Sequence, residues 1–68
     1  MILIPKAWTV KSLKVFNRLG TLVYSKKNYL NEWRGQSNNG KLLPVGTYFY
    51  VIIYEEDKIK TDWVYLNY

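Results

Sequence analysis

Polar and apolar residues alternate in Leu13-Lys14-Val15-Phe16, with Leu13 and Val15 on one side and Lys14, Phe16 and Arg18 on the other. That period of two predicts a strand with one apolar face. Asn17-Arg18-Leu19-Gly20 then reads as a tight turn, because Asn suits the first turn position and Gly the left-handed one. Thr21-Leu22-Val23-Tyr24 returns as the second arm, so Leu13 to Arg18 is expected to pair antiparallel with Thr21 to Ser25.

Between Ser25 and Pro44 the alternation gives way to polar residues and turn signals, among them Asn38-Asn39-Gly40-Lys41. Trp33 stands alone there among Asn31, Glu32, Arg34 and Gly35, and a lone Trp in such an excursion is expected to plug one end of a small core. After Pro44-Val45-Gly46 comes Thr47-Tyr48-Phe49-Tyr50-Val51-Ile52-Ile53-Tyr54, with no charge at all. A run apolar on both faces suits a central strand, covered by the core on one side and by aromatics or a partner on the other. The acidic turn Glu55-Glu56-Asp57-Lys58 leads into Ile59 to Leu66, where Val64 and Leu66 share a face with Lys60 and Asp62, and Ile59, Thr61, Trp63 and Tyr65 share the other. Thr47 to Tyr54 and Ile59 to Leu66 are expected to form a second hairpin. Ile2 to Ile4, with Ala7 to Val10, reads as a first edge strand, since Pro5 holds Ile4 extended.

Composition narrows this to one domain, residues 1–68, of the all-β class. So short a chain buries only about 60% of its unfolded surface, and three Trp, seven Tyr and two Phe supply the dense core it needs. There is no Cys and no His, which removes disulfides, thiolate metal sites, serine triads and the commonest general base. Neither catalytic residue, metal ligand nor cofactor site is expected. The acids Glu55, Glu56 and Asp57 sit together in a turn, best read as solvated. Met1-Ile2-Leu3-Ile4 is too short for a signal-peptide core or a membrane span before Pro5 and Lys6 intervene. No targeting signal is expected within the chain.

Ten Lys and Arg against five Asp and Glu give a net charge of +5, which raises the question of an anionic partner. Trp63, Tyr65, Tyr48 and Tyr50 near Lys58 and Lys60 are the residue types of a single-strand nucleic-acid platform on a small β-barrel, where bases stack on rings and cations meet phosphates. The stronger reading makes these rings the core of a tiny domain and the scattered basic residues a solvated surface, so no specific nucleic acid is expected. A third reading is a structural oligomerisation module, in which Thr47 to Tyr54 and the outward rings pair across a homo-oligomer.

Five blocks in order carry a resemblance: Leu13-Lys14-Val15-Phe16-Asn17-Arg18-Leu19-Gly20, Leu22-Val23-Tyr24, Trp33-Arg34-Gly35, Asn39-Gly40-Lys41, and Leu43-Pro44-Val45-Gly46-Thr47-Tyr48-Phe49-Tyr50-Val51-Ile52. Together they resemble the gliding-motility-associated C-terminal domain, the type B sorting domain of the bacterial type IX secretion system, over about Leu13 to Leu66. The motif positions carried over are Asn17, Arg18, Gly20, Trp33, Gly35, Gly40, Pro44, Gly46, Tyr48 and Tyr50, expected to be mainly structural. Leu19 stands where the family usually has Trp. Ile4-Pro5-Lys6-Ala7-Trp8-Thr9 resembles the family's opening strand, but the Asn-Gly-Asp-Gly-rich segment that normally follows it is missing and Val10-Lys11-Ser12 joins directly to the next strand. The resemblance implies a small immunoglobulin-like antiparallel β-sandwich, here shortened and incomplete. It further implies a sorting and surface-attachment role without catalysis, the outer-membrane secretion machinery as protein partner, and a secreted or cell-surface location as part of a signal-peptide-bearing precursor.

Overall fold

The computed structural model describes residues 8–30 and 32–67. Four strands, β1 (Val10–Phe16), β2 (Leu22–Lys27), β3 (Gly46–Tyr54) and β4 (Lys58–Leu66), form one antiparallel sheet in the order β2-β1-β3-β4. The described residues contain no helix, and the fold is all-β as expected. Both hairpins pair as the alternation predicts, with Val15 opposite Tyr24 in the first and Tyr50 opposite Asp62 in the second. They are joined through β1 and β3, where Val15 also faces Tyr50, so the uncharged strand lies inside the sheet. β1 starts at Val10, three residues before the alternating run. The strand expected over Ile2 to Ile4 lies outside the described residues.

One face of the sheet makes the core. Val10, Leu13, Val15, Tyr24, Tyr48, Tyr50, Ile52 and Leu66 are buried there, and the segment 28–45 closes over them with Tyr29 and Trp33. That segment carries one isolated pairing, Gln36 with Leu42. The described residues therefore form an open sheet backed by an irregular layer, an incomplete sandwich. The physical reason lies in the polar, turn-rich composition of residues 25–44, which offers no alternating run for a second sheet.

The opposite face departs from expectation. Trp63 and Tyr65 were expected in the core beside Tyr48 and Tyr50, yet they are 58% and 62% exposed while Tyr48 and Tyr50 are buried. Both faces of β4 carry apolar residues, so alternation alone leaves its orientation open. The register decides: Val64 lies opposite Tyr48 and Leu66 opposite Gly46 on the core side, which turns Trp63 outward opposite Phe49. There the two rings meet edge to face at 5.0 Å. Lys60 and Asp62 share the core-side face but sit on an exposed part of it. The Lys60 Nζ lies 5.7 Å from the Trp8 ring, itself stacked on Tyr54 at 4.0 Å.

Candidate recognition surface

Most motif residues build the fold. Trp33 is fully buried, donates from Nε1 to the Gln36 carbonyl at 2.8 Å, and sits 6.3 Å from the rings of both Tyr24 and Tyr48. Its own N–H is held by the Tyr29 hydroxyl at 3.2 Å. Here the expected plug is found, with its one polar atom satisfied. Gly35 turns the chain beside it at φ 102° and accepts from Leu43 N–H. Gly40 closes the small turn at φ 85°, its N–H donating to the Ser37 carbonyl. Tyr48 packs on Trp33 and donates its hydroxyl to the Pro44 carbonyl at 2.7 Å, and Tyr50 fills the core next to it.

The β1–β2 turn shows the same logic at one end of the sheet. The Asn17 Oδ1 accepts from both Leu19 and Thr21 N–H at 2.9 Å, and Gly20, at φ 84°, donates to the Asn17 carbonyl. A side chain holding two turn amides fixes the loop without help from the core. Gly46, the first residue of β3, comes alongside.

This end is where the structure brings five of the ten motif positions together. Asn17, Arg18, Pro44, Gly46 and Tyr48, far apart in sequence, line one shallow groove of about 250 Å³ with Leu19 and Val45 at its lip. Arg18 and Pro44 are exposed, Val45 is 54% exposed and Leu19 is 91% exposed. Among the described residues no packing accounts for the apolar side chain of Leu19. In the sequence Leu19 stands out only as a departure from the family pattern and Val45 does not stand out; the available sign is an apolar residue at the tip of a tight turn.

A second hollow, about 450 Å³, lies on the outer face between Phe16, Phe49, Val51 and Trp63. Alternation does not mark it, because Trp63, one of its rings, reads as core. Titratable groups give little chemistry. Tyr24, Tyr29 and Tyr50 are all pushed above the ordinary phenol range, chiefly by burial, with Glu32 adding to the effect at Tyr24 and Asp62 at Tyr50. The Leu30 N–H bonded to the Glu32 carboxylate holds that acid below its usual range, helped by Lys26. Glu55 raises Lys58 through a 3.0 Å ion pair, and Asp57 meets Lys11 at 3.2 Å. Among the described residues no three acids converge in a metal-binding group.

A sheet whose recurrent residues go into a plug, two turns and one exposed end defines a class of protein that presents a shape. The particular family follows from comparison: the model of the CHU_C type IX secretion signal domain matches residues 3–66, and the chain belongs to that family. Such a domain is a sorting signal rather than a catalytic unit, and it marks a secreted or cell-surface protein. No curated protein and no solved structure matches the chain.

Proposed function

We propose that this domain sorts an attached protein for export and surface attachment by offering its folded turn end to the outer-membrane type IX machinery. The observation that carries the reading is Leu19, an apolar residue where the family usually has Trp, which is 91% exposed at the groove shared by Arg18, Pro44 and Val45. Contiguous exposed apolar surface rimmed by polar residues marks contact sites, and here Leu19 and Val45 line one groove beside Arg18 and Asn17. The surrounding motif residues, Asn17 and Gly20 in the turn and Tyr48 beneath Pro44, hold that lip in one shape. A rigid scaffold under a small contact patch lowers the ordering entropy lost on binding. Recognition then depends on the fold being complete and on no reactive group.

The test is a reporter carrying a signal peptide, expressed in a bacterium with type IX secretion, with and without this domain fused behind it. The domain should move the reporter from the periplasm to the medium or cell surface. A reporter that stays periplasmic while the fused domain gives the dispersed amide spectrum of a folded protein would refute the reading.

A further inference from the structure

The two edges of the sheet are finished differently. β2 is six residues long, has a register shift against β1 and ends in Lys26-Lys27. Its free edge is occupied: the Asn38 Oδ1 accepts from Ser25 N–H at 2.8 Å and its Nδ2 donates to the Ser25 carbonyl at 2.8 Å, as a neighbouring strand would. β4 is nine residues long, pairs with β3 at nine consecutive positions without a shift, and is exposed over its first six residues. Its edge has one side-chain cap among the described residues, the Asp62 Oδ1 accepting from Trp63 N–H at 2.8 Å. That bond fixes the geometry of the edge. The Trp63 N–H points away from β3, so by strand alternation the amides and carbonyls of Ile59 and Thr61 face outward too.

We propose that the outer edge of β4, which has no strand partner among the described residues, pairs antiparallel with the β4 edge of a second copy, about a two-fold axis at Thr61, to give one continuous sheet across two molecules. The sequence of the edge selects this register. With Thr61 on the axis, Lys60 lies opposite the partner's Asp62 and Ile59 opposite the partner's Trp63, each pair occurring twice by symmetry. Moving the axis to Asp62 sets two carboxylates against each other, and moving it to Lys60 sets two ammonium groups against each other. An axis at Trp63 leaves Lys60 facing the partner's Leu66. In the Thr61 register the ion pairs fall at the non-hydrogen-bonded positions, where cross-strand side chains approach most closely. Asp62 exchanges its own Trp63 N–H for the partner's Lys60, and that N–H passes to the carbonyl of the partner's Ile59. In the free molecule Asp62 caps the edge, and in the pair it selects the partner.

Sedimentation velocity of the whole chain from about 5 μM to about 1 mM reads the equilibrium directly. The parent should pass from monomer to dimer within that range. Lys60→Glu and Asp62→Lys should each weaken the dimer by about tenfold or more, since each turns two attractions into two repulsions, and an equimolar mixture of the two variants should recover it as a heterodimer. Thr61→Pro removes an outward N–H that β3 does not use, which an edge strand tolerates; it should leave the amide spectrum dispersed and abolish the dimer. A parent that stays monomeric at the top concentration, a dimer unchanged by Thr61→Pro, or charge variants that fail to recover on mixing would overturn the proposal.

Discussion

Trp33, fully buried, joins the irregular layer to β2 through Tyr24 and to β3 through Tyr48. Trp33→Ala should lower stability by roughly 3–5 kcal/mol, the range for removing a large buried aromatic. At the roughly 0.05–0.15 kcal/mol per residue typical of native proteins, a loss of that size removes a large share of the stability of so short a chain and should move the urea midpoint far down. Trp33→Phe should lose less, since the ring volume is largely kept and only the bond to the Gln36 carbonyl goes. Coincident melts for parent and Trp33→Ala would contradict the plug. The plug was legible in the sequence because a large apolar residue among polar neighbours has few other uses. Leu19 was not, because exposure is decided by how the turn projects from the sheet, and a tight turn leaves its tip residue nothing to pack against.

At the scale of elements, the hairpins were readable because turn chemistry and alternation agreed locally. Asn17 and Gly20 fix the first turn, and the second closes through Glu55 and Asp57 at φ 52° and 68°. The left-handed positions there fall on acids, a weaker signal than the glycine that marks the first turn. The central place of β3 followed from its lack of charge. What could not be read was which face of β4 turns inward, since Trp63 and Tyr65 on one side compete with Val64 and Leu66 on the other. The register of β4 against β3, itself placed by β1, carries that information, and it is a property of the assembled sheet. The irregular second layer was legible as an excursion, but its closure over the core, with Tyr29 beneath Trp33, depends on contacts distant from any local pattern.

For the whole molecule, three tyrosines tie stability to alkaline pH. Tyr24, Tyr29 and Tyr50 have folded-state values raised above 10.0, mainly by burial. Above that pH the unfolded chain loses phenol protons that the folded chain keeps, so unfolding is favoured as pH rises. Stability should be fully present below pH 10 and fall through the range above it, with the raised Lys58 acting in the same direction. Urea melts at pH 8 and near pH 11 check this; equal midpoints would contradict it. The export reading makes a different demand on the whole molecule, that the fold and the exposed lip be separable. Arg18→Glu with Leu19→Asp alters two exposed side chains while leaving Asn17 and Gly20 to hold the turn. The most direct measurement is the ratio of extracellular to periplasmic reporter for this double variant and for the parent domain, with melting curves of both purified domains alongside. The folded turn end as recognition surface predicts a ratio reduced by about tenfold or more, as expected for removing a central contact, at an unchanged melt. Export at the parent level from an equally folded variant would contradict it.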